Sequence, residues 1–239
     1  MVNQAPGTHL HINVAKSRYI IPNPLNLPTY IKLLFKLWVV LLFKCGNGPL
    51  ALQEFHSKMI EVFACRNPER WAIAAKLFFG TKTIAGGKMK MAYSILYNLS
   101  PTRIFLLSED TIVEAEREME SILLKLKNLW THRPTVNFEG NAYNVGDFIV
   151  RAANPVSANV SYKGMLVEVE YLPAVHPYVA NSLLREFLTM IVPPTMEVVQ
   201  WEPNEENSYS KVGLSEEVFT RTHTSYQYIM LFKKENLLL

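Results

Sequence analysis

Ser161-Tyr162-Lys163-Gly164-Met165-Leu166-Val167-Glu168-Val169-Glu170-Tyr171 is the stretch on which the fold turns. Its side chains alternate: Met165, Val167, Val169 and Tyr171 share one face, and Leu166, Glu168 and Glu170 share the other. A period of two marks a β-strand, because successive Cβ atoms point to opposite faces of a sheet. Two earlier segments, Thr135 to Phe138 and Tyr143 to Ala152, follow the same period. Turns are expected at Glu139-Gly140-Asn141 and in the Asn154-to-Asn159 loop. Connections of turn length make consecutive strands pair antiparallel. The alternation predicts a sheet wet on one side, with Glu168 and Glu170 on the solvated face.

Upstream, Trp71 to Phe79, Lys88 to Leu99 and Arg103 to Leu107 read as further strands, separated by Gly80, Gly86-Gly87 and Ser100-Pro101. Leu37 to Phe43 is short and apolar, carries Val39 and Val40, and runs into Gly and Pro, which predicts a buried strand ending in a turn. Gly48-Pro49 opens a helix with Leu52, Phe55, Met59 and Val62/Phe63 at helical spacing, and Asn67-Pro68 stops it. A longer helix is predicted from Thr111 to Trp130, striped by Ile112, Met119, Ile122/Leu123, Leu126 and Leu129/Trp130. Glu114, Glu116, Glu118 and Glu120 fill its first half, and Lys125 and Lys127 its second, which suits the helix dipole.

Downstream, Pro177 starts a helix through Leu183, Leu184, Phe187, Leu188 and Ile191 that Pro193-Pro194 closes. Met196 to Trp201 reads as a strand, and Glu202 to Ser215 as a polar loop. A last helix from about Glu216 carries Phe219, Tyr226, Ile229/Met230 and Leu237. This order predicts an α+β fold on a largely antiparallel sheet.

The chain has 239 residues and a net charge of +3, unevenly spread. Residues 1–36 hold Lys16, Arg18, Lys32 and Lys36 and no acid. The other 203 residues hold 20 basic and 21 acidic side chains, a net of −1. A body of that charge lacks the basic face that grips nucleic-acid phosphates. Two cysteines, Cys45 and Cys65, make neither a disulfide framework nor a zinc site. The apolar run Ile31 to Phe43 contains Lys32 and Lys36 and is shorter than the roughly 20 residues a membrane-spanning helix needs. Membrane attachment through it is the weaker reading beside the buried strand. Residues 1–36 are expected to be a basic extension, followed by one domain over 37–239.

The chemistry is sparse. Glu168 and Glu170 on one strand face suggest a divalent-metal site of a triphosphate phosphohydrolase. That reaction also needs several inward cations, and the strands offer only Lys88, Lys90, Arg103, Arg151 and Lys163, mostly at their ends. His9, His11, His56, His132, His176 and His223 are scattered, and neither Gly-x-Ser-x-Gly nor a phosphate-binding loop is present. The residues favour a binding or scaffold protein over an enzyme.

A succession of motifs carries a family resemblance. Leu126-Lys127-Asn128-Leu129-Trp130-Thr131-His132-Arg133 is followed by Gly140-Asn141-Ala142-Tyr143 and Gly146-Asp147-Phe148-Ile149-Val150-Arg151. Then come Tyr162 to Tyr171, Leu183-Leu184-Arg185-Glu186-Phe187-Leu188, Ser225-Tyr226-Gln227-Tyr228 and Leu231-Phe232. In order and spacing this is similar to the family of Mediator subunit 20, which is related to the TATA-binding protein. The resemblance covers roughly residues 37–239. It implies an antiparallel, barrel-like sheet with flanking helices. It also implies a non-enzymatic, nuclear subunit of the Mediator head module, without cofactor, that links regulators to RNA polymerase II. The implied partners are Mediator subunit 18 and a helical C-terminal segment of Mediator subunit 8, with no direct nucleic-acid contact. Candidate partner contacts are Met165, Val167, Val169 and Tyr171 on the strand, and Tyr226, Tyr228 and Phe232 on the last helix. The same residues fit a core reading, which is the stronger one for the helix's inward face.

Overall fold

The computed structural model describes residues 38–45, 50–83, 89–156, 162–173, 177–193 and 196–238. The predicted strand over 161–171 is β9 (Met165–Tyr171), and its antiparallel neighbour is β8 (Phe148–Pro155). β8 turns at Gly146-Asp147 into β7 (Val136–Val145), with Gly146 at φ +58° in the left-handed region that glycine tolerates. The turn expected at Glu139-Gly140-Asn141 does not exist; β7 runs straight through it. Gly140 serves close approach instead, since a Cβ there would lie 1.9 Å from the Ala152 carbonyl oxygen on β8.

β1 (Trp38–Lys44) pairs antiparallel with β9, as the buried strand expected at Leu37 to Phe43 requires. β2 (Glu69–Thr83), β3 (Met89–Tyr97) and β4 (Arg103–Ser108) continue the sheet by antiparallel pairing. β5 (Thr111–Glu116) follows β4 through the two-residue turn Glu109-Asp110. β6 (Trp130–His132) pairs to the side, on β2. The far edge is β10 (Glu197–Gln200), so the order is β10-β1-β9-β8-β7-β2-β3-β4-β5.

The helix expected over Thr111 to Trp130 is three elements: β5, a short α2 (Glu118–Lys125) and β6. Six paired positions with β4 and the burial of Ile112 outweigh the helical preference of the glutamates. Glu114 and Glu116 alternate on the exposed side of that strand.

The last helix, α4 (Arg221–Lys234), begins five residues later than its sequence suggests, after Thr220. All ten residues from His223 to Phe232 are buried. α4 touches β1, β3, β4 and β5, strands from opposite ends of the sheet, so the sheet curls around it. The sheet is barrel-like in this curvature but not closed, because β10 and β5 do not pair.

A second core lies on the outer face. There α1 (Leu50–Glu61) and α3 (Pro177–Ile191) place Phe55, Met59, Leu184, Phe187 and Leu188 against Val39, Leu41, Val150, Val167 and Val169. β1 and β9 are therefore covered on both faces, and the expectation of a solvated face on β9 is corrected. The portion 38–43 of the apolar run is an inner strand of the sheet, as the buried-strand reading expects, and residues 31–37 lie outside the described residues. Among the described residues no helix is long and apolar enough to cross a membrane. The extension over 1–36 lies outside the described residues.

Candidate functional site

The inward face of β9 presents Glu168 and Glu170 to the first turn of α4. The β8–β9 register sets Arg151 directly opposite Glu168. Its Nη1 donates to Glu168 Oε1 at 2.5 Å and to Glu170 Oε2 at 2.6 Å. Arg221, the first residue of α4, donates from Nη1 to Glu168 Oε1 at 2.6 Å and from Nη2 to Glu170 Oε2 at 3.5 Å. Seven positions along the same helix face, the Tyr228 hydroxyl donates to Glu168 Oε2 at 2.6 Å. The Arg221 guanidinium also lies over the rings of Tyr97 (5.2 Å) and Trp38 (5.6 Å). Ser225 Oγ donates to the Arg221 carbonyl at 3.0 Å and lies 2.9 Å from the Tyr97 hydroxyl.

Two carboxylates and two guanidinium groups make a neutral cluster, which is how charge survives burial. Glu168 has no exposed surface. Burial pushes its carboxyl up, but Arg221, Arg151 and the Tyr228 hydrogen bond outweigh that and hold it below the usual carboxylate range. Burial and the Glu168 charge raise Tyr228 well above an ordinary phenol, so it stays a donor. Burial works against the charge on Arg221, and the two carboxylates with the neighbouring Tyr97 more than restore it.

Beside this cluster, His223 is buried and locks the start of α4. The Thr220 amide donates to Nδ1 at 3.0 Å, so the proton sits on Nε2, which donates to the Ser215 carbonyl at 2.7 Å. Its ring stacks on Phe219 at 4.5 Å. Burial lowers its pKa and keeps the imidazole neutral.

The arrangement contradicts the metal-dependent phosphohydrolase assignment. Both oxygens of Glu168 accept strong donors, and Glu170 Oε2 accepts from both arginines. Of the strand cations, Arg151 is committed to these carboxylates, while Lys90 pairs with Glu109, Arg103 with Glu114, and Lys163 with the Glu235 carbonyl. Among the described residues no group of three or more His, Cys, Asp or Glu is placed to hold a metal ion. Chemically the cluster is a clamp that fixes α4 to the sheet.

The seven candidate contact residues do not form one surface. Met165, Val167 and Val169 face the outer core against α1 and α3. Tyr226, Tyr228 and Phe232 are buried inside the curled sheet, with Phe232 stacked on Phe138 at 5.2 Å. Tyr171 alone keeps appreciable exposure, its ring 5.1 Å from Phe148. Sequence reasoning noted Arg151 only as a strand-end cation and missed Arg221. The available signal was the presence of two acids on a strand whose neighbours are apolar, since such acids require buried cations.

A family model describing the TATA-binding related factor of subunit 20 of the Mediator complex matches residues 36–233. The chain belongs to the Mediator subunit 20 family. The match spans β1 through nearly all of α4, so it includes every member of the buried cluster. The chain is similar to Mediator of RNA polymerase II transcription subunit 20 of Schizosaccharomyces pombe, 27% identical over 136 residues, 57% of this chain and 67% of the relative. It is 29% identical over 128 residues to subunit 20b of Arabidopsis thaliana, 51% of this chain and 56% of that relative. Among solved structures, a chain of the Schizosaccharomyces pombe Mediator head module is similar at 10% identity and a TM-score of 0.35. That similarity covers 64% of this chain and 92% of the other.

Proposed function

We propose that this member of the subunit 20 family is a non-enzymatic structural subunit of the Mediator head module, acting in the nucleus. It links regulators to RNA polymerase II through protein–protein contacts. The observation that carries the reading is the family match over residues 36–233, which takes in nearly the whole described fold. The neutral, internally paired cluster at Glu168 supports it, because the most acidic buried site is committed to holding α4 rather than to chemistry. The partners in this reading are Mediator subunit 18 and the helical C-terminal segment of Mediator subunit 8. Of the strand and helix candidates, Tyr171 has surface to offer a partner; the other six act by shaping the body. A near-neutral body argues against direct DNA binding. The folded unit is residues 37–239, preceded by a basic extension.

Affinity purification of the tagged full chain from nuclear extract, read by mass spectrometry, tests the reading. Recovery of other Mediator subunits, subunit 18 among them, is expected. Recovery of the chain without any Mediator subunit would overturn it. A chain beginning at Leu37 should recover the same set, which checks the placement of the boundary.

A further inference from the structure

Among the described residues α2 is the one helix that buries no side chain. It is nonetheless held firmly. Lys76 on β2 reaches Glu120 at 2.5 Å, a pair largely shielded from solvent. At the far end, the Thr81 amide donates to the Leu129 carbonyl at 2.9 Å and the Thr81 hydroxyl to the Asn128 carbonyl at 2.5 Å. Leu126 caps the helix, its amide donating to the Ile122 carbonyl, and a separate turn follows in which the Leu129 and Trp130 amides both donate to the Leu126 carbonyl. Polar contacts thus anchor the helix and turn its apolar row outward, the reverse of a normal surface helix.

That row is Ile122, Leu126 and Leu129, spaced by four and three residues and exposed by 48%, 41% and 47%. Its rim is basic. Lys82, Lys125 and Lys127 are exposed and form no ion pair among the described residues. The sequence has no acid between Glu120 and Glu139. Exposed apolar side chains this close in sequence, with Lys125 and Lys127 beside Leu126 and Glu118 one turn before Ile122, mark an interaction surface rather than stray exposure.

We propose that the Ile122–Leu126–Leu129 row docks a short acidic amphipathic segment of a partner protein. Apolar anchors of that segment cover the row, and its carboxylates face Lys125 and Lys127. The charge complementarity selects the occupant: the lysines reject basic segments and steer acidic ones, while the apolar row gives a polar ligand nothing to bind. The proposal deepens the reading of the chain as an assembly subunit by naming a class of contact for it.

The test replaces Leu126 in the full chain with the photo-crosslinker benzoylphenylalanine and purifies the assembly formed in cells. Under light an adduct is expected whose mapped partner peptide combines apolar residues with Asp or Glu, and K125E with K127E should abolish most of it. Absence of an adduct, an adduct on a peptide without acids, an adduct on a second copy of this chain, or one indifferent to charge reversal overturns the proposal. The co-purified subunits report separately on the earlier reading. Full recovery of Mediator subunits without the acidic adduct sinks the surface alone. An acidic adduct without Mediator subunits sinks the earlier reading and supports the surface. Unchanged circular dichroism and melting temperature of the K125E and K127E chain exclude loss of fold.

Discussion

α4 and α2 reverse the usual relation between hydropathy and burial. α4 carries His223, Thr224, Ser225 and Gln227 and buries them all. α2 carries Ile122, Leu123 and Leu124 and buries none. The difference lies in what surrounds each helix. The sheet curls around α4, and His223, Ser225 and Gln227 each find a partner there, while the Thr224 hydroxyl is buried without one. Gln227 accepts from the Val40 amide at 3.3 Å and donates to the Trp38 carbonyl at 3.1 Å, which fastens the helix to β1. α2 rests on the outside of the same sheet through Lys76 and Glu120, and among the described residues its Ile122 stays exposed. Enclosure by tertiary contacts, and the satisfaction of polar groups within it, decides burial; side-chain hydropathy alone does not.

The comparison breaks most sharply at the buried charges. Glu168→Ala leaves Arg151 and Arg221 against each other without their shared carboxylate, and should cost about 3–5 kcal/mol in urea unfolding. A loss below about 1 kcal/mol would mean that the cluster contributes little to holding α4. Phe232→Ala removes a ring stacked on Phe138 in the same interior and should cost about 3–5 kcal/mol by the same measurement.

A smaller effect is expected with pH. His223 has a folded pKa below its unfolded value of about 6.5, so below that pH the unfolded chain binds a proton that the folded chain resists. Stability therefore falls as pH drops through and below about 6.5. Glu168, also lowered, adds a second loss once the pH passes below the ordinary carboxylate range. Melting temperatures across this range should show the first decline, and His223→Gln should flatten it while leaving the second. A profile unchanged by that substitution would show that His223 is not the group responsible. The smallest effect belongs to α2. Leu126→Ser should change stability by no more than about 0.5 kcal/mol, and a loss as large as that of Phe232→Ala would erase the contrast between the helices.

Part of the fold is legible along the chain, because period-two alternation in 161–171 and the Pro-bounded helix at 177–191 are local signals, whereas the single strand expected over 143–152 is split by the Gly146-Asp147 turn between β7 and β8. Thr111 to Trp130 was misleading for a physical reason. Its apolar positions fit a helix, yet pairing with β4 through the Glu109-Asp110 turn is a contact the local pattern cannot express. Gly140 misled in the same way, since its lack of a side chain serves the approach of β8 rather than a turn. Glu168 and Glu170 stood out in the sequence, but their partners did not. Arg151 lies 17 positions from Glu168 and Arg221 lies 53, and only the hairpin register and the entry of α4 bring them together.

The sequence by itself determined strands such as β1 and β9, the near-neutral charge of the body and the family, because alternation, composition and ordered motifs are properties of the chain. The tertiary structure decided the fates of the side chains. It turned a strand face that read as wet into a sealed charge cluster, drew a partly polar helix into the core, and left an apolar row on the surface. Those outcomes depend on which distant groups enclose a residue, and the energy of a charge or an apolar group is set by that enclosure.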